Sequence, residues 1–144
     1  MDSKDEVLIQ NARFYEAFEQ QNLSLIGGIW SHESYVKCVH PGWTALVGWE
    51  NVRESWERIF SSETRMKFSL RNIRADVFGT LALVVLEEEI CFTSGPATRT
   101  QSIMATNIFE FDGSTWRMIH HHGSPVVNAN PSGGEEDTYR FRYN

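Results

Sequence analysis

Hydrophobic positions in the first sixty residues recur with helical spacing. Val7, Leu8, Phe14, Tyr15 and Phe18 share one face of a helix that runs to about Gln21. Ser3-Lys4-Asp5-Glu6 fits a capping box at its start. Residues 22–30, "NLSLIGGIW", predict a short second helix or turn broken at Gly27-Gly28. Residues 34–40, "SYVKCVH", predict an extended segment that Pro41-Gly42 stops. The period then returns to three and four: Val52, Trp56, Ile59 and Phe60 predict an amphipathic helix over 49–61.

Beyond it the pattern is that of strands. Residues 65–79, 80–95 and 97–113 are rich in β-branched and aromatic residues, and Asp112-Gly113 predicts a hairpin turn into residues 114–122. Helices followed by a run of long strands imply an α+β fold. Long antiparallel strands twist and curl, so helices on the concave side can leave a hollow. Period two sorts the strand residues. Ala82, Val84, Leu86, Glu88, Ile90 and Phe92 form one set of their strand; Leu81, Leu83, Val85, Glu87, Glu89 and Cys91 form the other. Both are largely apolar, so both faces are expected to be covered, one by helices and one by a second copy of the chain. Gln101, Ile103, Ala105, Asn107, Phe109 and Phe111 are placed inward, as are Trp116, Met118, His120 and His122. His121 then faces the opposite way. A slip of one residue inverts that assignment.

Composition narrows the class. The 144 residues fit one domain with a real core. A net charge of −6 argues against a sequence-independent grip on nucleic acid phosphates. No apolar run reaches the length of a membrane span, and "MDSKDEVLIQ" lacks the layout of a secretory signal. Cys38 and Cys91 read as reduced thiols, which points to the cytoplasm, with the nucleus also open. Residues 1–126 are expected to form the domain. Residues 127–144, rich in Gly, Pro and polar groups, are expected to be a mobile tail whose last residues, "YRFRYN", could join a sheet edge.

Four stretches carry a resemblance: "CVHPGW" (38–43), "LVGWENVRESWERIF" (46–60), "ATNIFEFDGSTWRMIHHHGSP" (105–125) and the spacing between them. In these the chain resembles the NTF2-like superfamily, and within it the SnoaL-like domains. The terminal strand is also similar to the association domain of calcium/calmodulin-dependent kinase II. The resemblance implies a cone, a curved antiparallel sheet wrapped around N-terminal helices. It also implies a pocket inside the cone and a homodimer through the convex sheet face. It does not choose a reaction, because the superfamily holds isomerases, cyclases, dehydratases, transport factors and assembly modules.

The candidate chemistry is acid/base. His40, beside the Pro-Gly turn, is either a pocket acid/base or a histidine that shapes the turn. Trp43 is a candidate wall or lid. Trp56 and Phe14 are helically spaced core aromatics that at most touch the pocket, and Tyr15, Trp49 and Trp116 are further wall candidates. His120 and His122 share a face, and with His40 could supply three nitrogens. No obvious second shell accompanies them, so no metal is expected. Glu88 is either a buried carboxylate with a raised pKa or, with Glu87 and Glu89, a solvated strand end; the cluster favours the second. Asn107 is a candidate donor to a ligand oxygen or to a histidine. There is no phosphate loop, nucleophile elbow or HExxH, and no cofactor is expected. Two functions follow. One is a cone that binds a small, largely apolar molecule and catalyses isomerisation, cyclisation or dehydration with His40, His120, His122 or Glu88. The other is a non-catalytic dimerisation or protein-interaction module with a filled cone.

Overall fold

Asp2, rather than Ser3, caps the first helix. In the computed structural model, which describes residues 1–127, its carboxylate accepts from Asp5 N at 2.8 Å. An ionised Asp serves as well as Ser at this position and also faces the positive end of the helix. Helix α1 spans Ser3–Glu19 and ends two residues before the expected point. There Gln21 takes a left-handed conformation (φ 53°) and Asn22 N reaches back to Ala17 O at 3.0 Å. Asn22 then caps α2, Leu23–Ile29, by accepting from Leu25 N. This helix runs through both glycines instead of breaking at them, because the cap and the burial of Ile26 and Ile29 outweigh their cost.

The extended segment is shorter than expected: β1 is only Lys37–Val39. The two-residue strand β2, Leu46–Val47, pairs with it and was not foreseen. Gly48 (φ 87°) turns the chain into α3, Trp49–Phe60, which buries Val52, Ser55 and Trp56. The long strands follow as β3 (Arg65–Phe78), β4 (Leu81–Ser94), β5 (Ala97–Phe111) and β6 (Trp116–Pro125). Between the last two, Asp112 accepts from the N–H groups of Ser114 and Thr115, an Asx-type turn.

The strands form one curved, unclosed sheet in the order β2-β1-β6-β5-β4-β3, in which β1 runs parallel to β6 and the other pairs are antiparallel. The expected α+β cone is present, with α1 and α3 inside the curve. The period-two sorting holds on β4, where Ala82, Val84, Leu86, Glu88 and Ile90 are buried and Leu83, Val85 and Cys91 are half-buried. It holds on β5, where Ile103, Ala105, Asn107 and Phe109 are buried.

On β6 it fails midway. Ile108 pairs with His120 but Phe109 pairs with Met118, so Ile119 is an extra residue, a β-bulge. Trp116 and Met118 face inward as expected. After the bulge the alternation inverts: His121 is buried, His120 is half-buried and His122 is exposed. Among the described residues no helix is long and apolar enough to cross a membrane. The expected tail, apart from Val127, lies outside the described residues.

Candidate functional site

The cone core is built on Phe14. Its ring meets those of Tyr15, Phe18, Trp56 and His121 at centroid distances of 4.9, 5.8, 5.6 and 5.0 Å. Phe14 and Trp56 are thus core residues that support the site. Trp116 packs on Phe111 near the start of α1, where its carbonyl accepts from Gln10 Nε2. It takes no part in the hollow. Trp49 stacks on His32 outside the hollow as well.

Between this core and the open end of the cone lies a cavity of about 230 Å³. Its walls include Phe18, Ile59, Met66, Ile90 and Ile103; its polar groups are Glu88, His40, His121, Gln101 and Arg99. A wider cleft of about 510 Å³ runs past Trp30, Tyr35 and Arg117, but it shares no residue with these groups.

Glu88 is 2 % exposed, so burial takes precedence over the clustering of three glutamates that favoured a solvated strand end. Period two decides it: Glu87 and Glu89 point to the convex side and Glu88 points in. Tyr15 Oη donates to Glu88 Oε2 at 2.5 Å. Asn107 Nδ2 donates to Tyr15 Oη (3.2 Å) and to Asn11 Oδ1 (2.9 Å). Asn107 Oδ1 accepts from His121 Nδ1 at 2.6 Å. A buried relay thus runs from His121 through Asn107 and Tyr15 to Glu88. It holds His121 in the tautomer protonated at Nδ1 and leaves Nε2 as the basic nitrogen.

Burial sets the protonation states. It raises the Glu88 pKa to about 7, against the opposing effect of the Tyr15 hydrogen bond. It holds the Tyr15 hydroxyl well above its ordinary range, with Glu88 adding to the effect. The His121 imidazole is pushed well below 6.5 by burial and by the neighbouring histidines. Near neutral pH the site therefore contains a carboxyl group poised between its two forms and a neutral imidazole.

His40 is tied to the scaffold. Ser55 Oγ donates to Val52 O at 2.6 Å, so its contact with His40 Nε2 at 2.8 Å is a hydrogen bond from the imidazole. The ring also lies edge-on to Trp56 and Trp43. Burial brings its pKa down to about 4. Cys38 Sγ lies 3.6 Å from His40 Nε2, and burial drives its thiol far up, away from thiolate chemistry. Trp43 stands half out of the cavity mouth, with Arg58 over its ring.

Of the residues singled out by sequence, His40, Trp43 and Glu88 line the cavity, and Tyr15 and Asn107 reach it through the relay. The expected convergence of His40 with His120 and His122 is corrected: the bulge at Ile119 sends both of the latter to the convex face, where their rings lie 6.1 Å apart. His121, assigned outward by alternation, is the imidazole that meets Asn107. No local signal marked it: the register that runs back from the Asp112-Gly113 turn would set Asn107 opposite His120, and only the extra residue Ile119 brings His121 there. Among the described residues no group of three or more His, Cys, Asp or Glu is arranged to hold a metal ion.

Comparison with known proteins agrees with this architecture. The family model described as a SnoaL-like domain matches residues 7–128. A candidate dehydratase of the NTF2-like family from Streptomyces avermitilis superposes with a TM-score of 0.81 at 29 % identity, over 86 % of this chain and 97 % of that one. A candidate calcium/calmodulin-dependent protein kinase type II association domain from Thiobacillus denitrificans gives 0.73 at 26 % identity, over 81 % and 92 %. The F-box protein SKIP8 of Arabidopsis thaliana is 27 % identical over 121 residues, 84 % of this chain. The chain spans about half the length of that relative.

Proposed function

For a chain that belongs to the SnoaL-like domain family, with this geometry inside its cone, we propose a cofactor-independent acid/base site that takes a small, largely apolar molecule. Glu88 is the proton-transferring group. The observation that carries the reading is its position: a buried carboxyl, hydrogen-bonded to Tyr15, that opens on the same cavity as His121. A pKa near 7 lets it accept a proton from carbon and return it elsewhere at neutral pH. The neutral His121 Nε2 is the second group, an acceptor able to orient a substrate hydroxyl or to take its proton. Proton removal next to a carbonyl, as in isomerisation, cyclisation or dehydration, needs no more than this. The cavity is smaller than the ~300–1,000 Å³ usual for ligand sites, which favours a small substrate.

The test is a thermal-shift screen of small carbonyl compounds, followed by solvent-deuterium exchange into each compound that binds. Wild-type protein is expected to exchange an acidic C–H; Glu88→Gln is expected to bind and not to exchange. If no compound class raises the melting temperature, or if Glu88→Gln exchanges as fast as wild type, the catalytic reading fails.

A second reading, a dimerisation or interaction module, draws support from the likeness to the association domain. It also draws on the convex face, where Leu83 and Val85 of β4 and Ile108 of β5, which lies opposite Leu83, are only partly covered. A homodimer through this face is compatible with either function. Sedimentation equilibrium of wild type and Val85→Asp tests it: a wild-type dimer that the variant splits supports the interface, and a wild-type monomer at micromolar concentration removes it.

A further inference from the structure

Among the described residues, the cavity that we read as the acid/base site has one lining residue with a permanent charge, Arg99. It stands on the same inward-facing row of β5 as Gln101, Ile103 and Asn107, at the open end of the cone. The β4–β5 register arranges the wall in steps: Phe92 opposite Arg99 at the mouth, Ile90 opposite Gln101 below it, Glu88 opposite Ile103 deeper still. From the first pair to the third is about 13 Å of strand.

Arg99 has its guanidinium carbon 4.2 Å from the centroid of the Phe92 ring. The ion pairs among the described residues are Arg58–Glu54, Arg71–Glu89 and Arg117–Asp112, and none involves Arg99. A guanidinium laid on an aromatic face is oriented without being neutralised, and its N–H edge stays free for a planar acceptor. Beneath it the walls are Phe18, Ile59, Met66, Ile90 and Ile103, with the uncharged amide of Gln101 one step down and Glu88 deeper. Such a site is bipolar, with a fixed cation at the entrance, mostly apolar walls and a proton-transfer group at depth.

We infer that Arg99 is a specificity residue that anchors a carboxylate, and that the substrate is a small carboxylic acid with an apolar body directed into the cone. The inference rests on the acid/base reading of the same cavity. A carboxylate suits the planar, two-pronged guanidinium edge, and the head group at the mouth can stay partly hydrated while the body is desolvated. The orientation follows. An acid entering head-first would bring its charge against Glu88 and bury it without a cationic partner, whereas the reverse pose satisfies both ends.

The experiment uses two probes with one skeleton, 4-phenylbutanoate and 4-phenylbutanamide. Each is titrated at pH 7.5 into the full chain while the methyl signals of Ile90 and Ile103 and the ring signals of His121 are followed by NMR. Wild type is expected to bind the acid about tenfold more tightly than the amide. Arg99→Gln is expected to bring that preference within twofold without weakening the amide, which also reports that the variant is folded. Arg99→Lys is expected to keep part of the preference. Equal binding of the two probes to wild type, or a preference that survives Arg99→Gln, overturns the carboxylate inference and leaves the cavity reading standing. If neither probe moves the cavity signals, both fall.

Discussion

Glu88→Gln is expected to make the protein more stable at pH 8 and to leave its stability nearly unchanged at pH 4.5. Burial lifts the carboxyl from its ordinary 4.5 to about 7, a value that already includes the hydrogen bond from Tyr15. The folded protein thus holds this proton more tightly than the unfolded chain does. Below pH 4.5 both states are protonated and the group costs nothing. Between 4.5 and 7 the unfolded chain releases its proton first, and stability declines as pH rises. Above 7 the loss is complete. A gap of about 2.5 pH units corresponds to roughly 3 kcal/mol at 1.36 kcal/mol per unit. Gln has the shape of the protonated acid, can accept from Tyr15 Oη, and never ionises. Its advantage over wild type should grow from near zero at pH 4.5 to about 3 kcal/mol at pH 8, or roughly 10 °C in melting temperature. The assay is urea unfolding of both proteins across this range, with the difference curve as the readout. The difference is needed because buried His40 and His121 give slopes of opposite sign below 6.5, which mask Glu88 in wild type alone. A flat difference curve would refute the claim that Glu88 is a desolvated, near-neutral acid.

Three further outcomes follow from the same geometry. Because burial lowers the His40 pKa to about 4, its contribution to stability is present above 6.5 and is lost as pH falls toward 4. Urea unfolding of His40→Gln should show a shallower acid limb, by roughly 2–3 kcal/mol at pH 4. Asn107→Leu leaves the His121 Nδ1–H and the Asn11 carbonyl oxygen unpaired, and should cost about 2–4 kcal/mol in the same assay at pH 7. Gly123→Ala would set a Cβ 3.0 Å from Ile103 Cγ2 and 3.3 Å from Pro41 Cγ. It should cost about 1–3 kcal/mol and shift Trp43 fluorescence as the Pro41 corner lifts.

Much of the cone was legible because long elements write their period plainly. The apolar row of α1, the Val52–Trp56–Ile59 stripe of α3 and the alternation of β4 each extend over many residues, so one ambiguous position does not hide them. Short elements carry no such redundancy. β2 has two residues, and β1 keeps three of the seven that looked extended; both exist because β6 and the hairpin supply pairing partners, a tertiary cause with no local signature. The same division runs through the site. Glu88 and Asn107 could be placed on the inward face by counting in twos along uninterrupted strands. Whether Glu88 was buried depended on how far α1 covers β4, which no residue of β4 records. The Tyr15–Glu88 contact joins residues 73 positions apart.

The histidines show how one unmarked residue redirects chemistry. Bulges are often recognised by a glycine, but Ile119 is β-branched and reads as an ordinary strand position. Its insertion inverts every side chain after it. With the bulge, His121 meets Asn107 across β5 and lies level with Cys38 on β1, two residues before His40. With it too, Gly123 turns inward beneath Pro41, where only a residue without a side chain lets the His-Pro-Gly-Trp corner settle against the sheet. Uninterrupted alternation would instead bring His120 and His122 into the cone and turn Gly123 away from the corner. The relay from His121 to Glu88 and the seating of the cavity mouth therefore have a common origin, which ties the two functional ends of the hollow to a single irregularity in β6.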